Sequence, residues 1–173
     1  VMCNGMAGNA EITAPGEAYD AFCEALHTVT VYLSRQIAGD GEGATKLLDC
    51  VVTGAKTLSD ARTVARAVVS SSLLKAAMFG ADANWGRILC AMGYSGAQFD
   101  PEKVDLFFES AAGKLQIIEN GVALNYSEEK ATEILSEPKV TAIADLKEGD
   151  AAATAWGCDL THEYISINAD YRS

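Results

Sequence analysis

The sequence has 173 residues, 49% of them apolar, and sets 24 acidic against 13 basic side chains for a net charge of −11. That supplies a substantial core for one globular domain, and the acidic balance argues against nucleic acid and anionic membrane as partners. No run approaches the ~18 uninterrupted apolar residues that a membrane span needs. The five cysteines lack a C-x-x-C pair and mostly sit in apolar runs, so they read as small core residues of a protein in a reducing cytoplasm. His27 and His162 belong to no cluster with ligand spacing, so no metal is expected.

In chain order, Val1-Met2-Cys3 before Asn4-Gly5 reads as the tail of a strand that begins upstream. From about Gly16 to Ala38, Phe22, Leu26, Val29, Leu33 and Ile37 recur at helical spacing, with Thr13 and Pro15 to start the helix and Gly39 to stop it. Gly39 to Lys46 then crowds glycine, acid, hydroxyl and lysine into one loop. A dinucleotide-binding turn would need a strand before it and a helix after it, and here that order is reversed. A Walker A loop would need Lys and then Ser or Thr after the last glycine, where Ala44-Thr45-Lys46 stands.

Leu47 to Thr53 is short, apolar and β-branched, which predicts a strand. Ser59 is placed to cap a helix over 60–69, the triple serine at 70–72 to end it, and Leu73 to Phe79 to form a buried strand or a helical turn. Asn84 can cap a short helix through Met92. Lys103 to Glu109, Lys114 to Glu119 and Val122 to Leu124 form a predicted meander around the Asn120-Gly121 turn. A charged helix from Ser127 to near Leu135, strands over 140–146 and 151–158, and a short final helix capped by Thr161 complete the chain. Mixed elements with hairpin-like connections favour an α+β or layered α/β fold over a doubly wound sheet. Two lobes, about 1–97 and 98–173, are expected.

Several residues could carry chemistry. Glu42, between two glycines that do not shield it, could receive an ammonium group through a charge-assisted hydrogen bond. From the residues alone, a solvated turn acid is the simpler reading. Thr45 and Lys46 could join the same pocket, or Lys46 could face solvent. Trp85 is expected as an apolar anchor in a stretch that supports the site, and Arg87 as a carboxylate fork or, more simply, a member of a surface or intersubunit ion pair. His162 has no nucleophile motif nearby and reads as a satisfied or exposed histidine.

The runs GDGEGATK (Gly39–Lys46), FGADANWGRIL (Phe79–Leu89) and WGCDLTHEYISINADYRS (Trp156–Ser173) occur in that order. Together they resemble the bifunctional ornithine acetyltransferase / glutamate N-acetyltransferase family of arginine biosynthesis. The resemblance covers nearly the whole chain. It implies β-layers packed between helices and a place in the N-terminal-nucleophile class, whose precursors cleave themselves before a threonine. That threonine would lie upstream of Val1, so the chain is similar to a truncated β subunit without its nucleophile.

The activity implied is transfer of an acetyl group from N-acetylornithine to glutamate through an acetyl-threonine, with acetyl-CoA left open as a further donor. No cofactor is implied. The implied partner is the α chain of the same precursor, in a heterotetramer of two α and two β chains. Glu42, Asn168 and Ser173 match the family's substrate-binding positions, and no catalytic residue is expected within these 173 residues. A non-catalytic amino-acid-binding or assembly module of the same fold, or a relative acting on another N-acetylated substrate, is the competing expectation.

Overall fold

A computed structural model describes residues 1–170. The chain divides into two compact units, Val1–Ser34 and the residues from Arg35 onward. In the first unit, residues 1–16 form no helix or strand. The strand tail expected at Val1–Cys3 is therefore not formed, and no strand of the described residues pairs with it. Helix α1 (Glu17–Gly39) opens with Glu17 and Asp20, whose charges suit the positive end of the helix dipole. Its stripe of Phe22, Leu26, Val29, Leu33 and Ile37 lies on one face as the spacing predicts, and remains exposed.

The second unit is built on a six-stranded sheet in the order β4-β3-β2-β5-β1-β6. Its strands are β1 (Leu47–Ala55), β2 (Asp105–Ser110), β3 (Gly113–Glu119), β4 (Val122–Ala123), β5 (Lys139–Asp145) and β6 (Ala151–Cys158). Strand β1 runs parallel to β5 and antiparallel to β6, while β2, β3 and β4 form the antiparallel meander read from the sequence. Asn120 accepts a φ of +47° in the Asn-Gly turn, a conformation that asparagine tolerates better than most residues.

Alternation along the strands sends one set of side chains inward. Leu48, Cys50 and Val52 of β1, Leu106 and Phe108 of β2, and Val140, Ala142 and Ala144 of β5 are buried. Helix α2 (Leu58–Ser70) packs on β1 and β6, and α5 (Glu128–Leu135) packs on β2 and β3. Residues on the opposite face, such as Val51, Thr141, Ile143, Phe107 and Trp156, are half-buried. There Asp49 lies 3.4 Å from Arg35 and 3.5 Å from Lys139, so its charge is answered by one residue near its own strand and one from β5.

Local details settle one open alternative of the sequence reading and depart from it in two further places. Leu73–Phe79 is helical, within α3 (Ser72–Phe79), because Ser71 accepts from the Leu74 amide and nucleates the turn as an N-cap. Thr57, not Ser59, caps α2: its hydroxyl accepts from the Asp60 amide at 3.0 Å. Cysteine burial is the third. Cys50 alone is buried, Cys158 is half-buried, and Cys3, Cys23 and Cys90 are exposed, since an apolar neighbourhood in sequence does not decide which side of an element a residue occupies.

Burial pushes the Cys50 thiol up to about 12. Thiol chemistry needs the thiolate and access, and Cys50 has neither at neutral pH. Iodoacetamide at pH 8 is expected to label Cys90 of the folded chain and to spare Cys50 until urea is added. Peptide mass mapping reads this directly, and rapid native labelling of Cys50 would contradict the packing.

Candidate functional site

The antiparallel register of β1 and β6 pairs Leu47 with Cys158. The residues before Leu47 and after Cys158 therefore leave the sheet at the same end, which brings the glycine loop against the last segment of the chain. Ala44 donates to the Gly41 carbonyl at 2.9 Å, closing a tight turn with Glu42 at its tip. Gly43 has a φ of +67°, and a Cβ there would stand 2.7 Å from Glu163 Cβ and 3.0 Å from the Tyr164 nitrogen. Glycine thus admits both the turn and the close approach of helix α6 (His162–Asp170).

Two side chains fasten these parts. Asp159, 3% exposed, accepts from the Thr45 amide at 2.8 Å, the Lys46 amide at 3.1 Å and the Thr45 hydroxyl at 2.5 Å. Its own amide donates to the Lys46 carbonyl at 3.2 Å. Thr161 caps α6 by accepting from the Tyr164 amide, and its hydroxyl donates to the Gly43 carbonyl at 2.7 Å.

Across this junction Asn168 Nδ2 donates to Glu42 Oε2 at 2.8 Å, although the two residues are 126 positions apart. The same nitrogen donates to the Tyr164 carbonyl at 2.9 Å. Both amide hydrogens are thereby engaged, and the side-chain oxygen of Asn168 is left to act as an acceptor beside the Glu42 carboxylate. Both residues are exposed. Ser173, the third residue expected here, lies outside the described residues.

Lys46 turns away from solvent. Its ammonium donates to the Met78 carbonyl at 2.6 Å, at the negative end of α3. Burial lowers its pKa, and the nearby Asp159 charge partly opposes that shift. His162 is exposed and meets the Phe79 ring edge to face, with centroids 5.6 Å apart.

The second motif, Phe79–Leu89, follows its sequence reading only in part. Asn84 does cap helix α4 (Trp85–Gly93), accepting from the Arg87 amide at 3.2 Å. Trp85, expected as an apolar anchor, is 37% exposed. Arg87 donates to the Leu73 carbonyl at 2.8 Å and has no ion pair among the described residues. Its guanidinium joins two helices by satisfying a carbonyl of α3, and it lines a cavity of about 320 Å³ with Ser71, Asn84 and Tyr94.

Among the described residues there is no cluster of His, Cys, Asp and Glu able to hold a metal ion, and no helix is long and apolar enough to cross a membrane. Sequence reasoning missed Asp159. Its local signal was an acid between Cys158 and Leu160, directly after a strand and just before a helix cap.

The architecture is a layered mixture of helices and a mixed sheet, carrying a polar pair assembled from distant parts of the chain. Comparison with known proteins narrows that class. The chain belongs to the ArgJ family, whose model matches residues 1–173. It is 50% identical to the arginine biosynthesis bifunctional protein ArgJ of Thermotoga neapolitana, over all of this chain and 44% of the relative. The ArgJ of Symbiobacterium thermophilum is 53% identical, again over the whole chain, which spans 42% of that relative. The crystal structure of an arginine biosynthesis bifunctional protein ArgJ from Bacillus halodurans superimposes with a TM-score of 0.89 at 41% identity, covering 98% of this chain and 78% of that one. The chain therefore spans less than half the length of these two curated relatives.

Proposed function

We propose that the chain forms the amino-acid-binding part of an acetyltransferase that moves an acetyl group from N-acetylornithine to glutamate. In this reading a threonine outside these 173 residues, activated by its own α-amine, takes the acetyl group and releases ornithine. The glutamate amine then attacks the acetyl-threonine, and the hydroxyl is regenerated as N-acetylglutamate leaves. The α chain of the family's precursor supplies the remainder of the site, in a heterotetramer of two α and two β chains. The present chain contributes binding and orientation, which are worth a large share of the barrier when they set the reacting amine in place.

The observation that supports this reading is the 2.8 Å contact between Glu42 and Asn168. With the amide hydrogens of Asn168 engaged, the pair offers a carboxylate and an amide oxygen, both acceptors. Two adjacent acceptors, one of them charged, suit an ammonium group and not a carboxylate. The substrate carboxylate would then be held by other donors, among which the Ser173 hydroxyl is the family-based candidate.

Glu42→Gln in the complete enzyme tests this role. Loss of one charge-assisted hydrogen bond costs about 1.5–3 kcal/mol, equivalent to about a 10- to 150-fold fall in kcat/KM. The loss is expected mainly as a raised KM, because a residue that only binds acts on ground state and transition state alike. Kinetics unchanged for both N-acetylornithine and glutamate would reduce Glu42 to a solvated turn acid and remove the basis of the reading.

A further inference from the structure

Glu42 sits on an exposed glycine turn, yet it meets a side chain 126 residues away at hydrogen-bond distance. Glycines on either side of it supply no packing, so something outside the turn must fix its position. The turn itself closes only from Ala44 to Gly41. Its exit is held by the Asp159 carboxylate, which gathers the Thr45 and Lys46 amides and the Thr45 hydroxyl at 2.8, 3.1 and 2.5 Å. A carboxylate that is only 3% exposed and accepts three hydrogen bonds has little freedom to move.

We propose that Asp159 is a positioning residue of the amino-acid site: its carboxylate latches the exit of the glycine turn and so sets Glu42 against Asn168. The inference rests on the ammonium-binding role proposed above for Glu42. Among the described residues Asp159 hydrogen-bonds to neither Glu42 nor Asn168, and it acts on both through backbone. On one side it fixes Thr45, three residues beyond Glu42. On the other it stands directly before Leu160 and Thr161, whose hydroxyl caps α6 and also holds the Gly43 carbonyl at 2.7 Å. Asn168 follows on α6, two helical turns from that cap. The same three-residue segment thus determines where both halves of the acceptor pair stand.

A residue that merely stabilised the fold would lower the fraction of active enzyme, leaving the KM of what remains unchanged. A latch acts on KM. The test is steady-state kinetics of the complete enzyme bearing Asp159→Ala, Asp159→Asn, Glu42→Gln and the Asp159→Ala/Glu42→Gln pair, with kcat normalised to titrated acetylatable sites.

Asp159→Ala is expected to raise KM about tenfold for N-acetylornithine and for glutamate, with kcat changed by less than about threefold. Asp159→Asn keeps an oxygen for the two amides and is expected to raise KM only about two- to fivefold. Because Asp159 works through Glu42, the pair is expected to show less than about twofold more KM loss than Glu42→Gln alone.

A KM within about twofold of the parent in both Asp159 variants, alongside a raised KM in Glu42→Gln, overturns the latch and leaves the Glu42 site standing. Fully multiplicative effects in the pair overturn it as well, since they show independent action. A parental KM in Glu42→Gln removes the site and the latch together. If Asp159→Ala is not recovered folded, Asp159→Asn decides: a parental KM there refutes the proposal, and the expected rise supports it.

Discussion

Alanine at position 43 is expected to cost about 2–5 kcal/mol and to damage the candidate site at the same time. The left-handed backbone alone costs a residue with a Cβ about 1–2 kcal/mol. Gly43 has that conformation, with a φ of +67°. Overpacking adds about 1–3 kcal/mol. The new methyl would meet Glu163 Cβ and Cγ at 2.7 and 2.9 Å and the Tyr164 nitrogen at 3.0 Å. These atoms belong to the first turn of α6 and not to a flexible side-chain end, so relief requires the helix to move. Movement of α6 carries Asn168 away from Glu42. Urea denaturation of Gly43→Ala should show the stability loss, and kinetics of the complete enzyme should show a raised KM. A variant of parental stability and KM would mean that the loop and α6 are not in contact in solution.

The second large effect is expected in the core, where Phe108→Ala should destabilise the chain by about 3–5 kcal/mol. Phe108 is fully buried on β2, under α5, with Ala142 directly beside it on β5. A neighbour that small cannot fill the space, so the cavity stays open and the cost falls at the upper part of the range for such substitutions. Phe107 provides the control. It points to the half-buried face, where Lys114 stacks on it with the ammonium 4.9 Å from the ring centre. Phe107→Ala should cost about 1–2 kcal/mol, the worth of partial burial and one exposed cation–π contact. A larger loss for Phe107→Ala than for Phe108→Ala, measured by urea denaturation, would mean that the strand has slipped by one residue, because a one-residue slip exchanges the two faces.

Local patterns were the legible part of this fold. Helix α1, strand β1, the meander around Asn120-Gly121 and the cap at Asn84 were all readable, because each is announced by periodicity or a turn residue within a few positions. Helix α3 was not, since an apolar run of that length carries no period and its cap, Ser71, sat inside a serine triplet. The cap at Thr57 was displaced by two residues for a similar reason: any of several hydroxyls could serve, and only geometry selects one.

The site divides along the same line. Glu42 and Asn168 were named from the family resemblance, while nothing local to either residue announces the other across 126 positions. Asp159 was invisible because its partners lie 113 and 114 residues upstream. An acid after a strand usually faces water, and only the register between β1 and β6 reveals that this one faces the glycine turn. Lys46 was ambiguous between pocket and solvent, and the carbonyls at the end of α3 took it in a third direction.

The position of β1 also bears on how the chain is made. Both of its sheet neighbours, β5 and β6, come from the far end of the sequence. At a synthesis rate of about 5–20 residues per second, the roughly 100 residues separating β1 from β6 take on the order of 5–20 s to appear. Until β5 emerges, both edges of the run Leu47-Leu48-Asp49-Cys50-Val51-Val52 are without their native partners, on a ribosome-bound nascent chain. Unpaired apolar strands of this kind invite pairing with other chains. Asp49 interrupts the run with a charge that suppresses such pairing while the strand waits, the part a gatekeeper residue plays. When β5 arrives it brings Lys139 to within 3.5 Å of that charge, so the group that protects the nascent strand becomes an ion pair in the finished sheet.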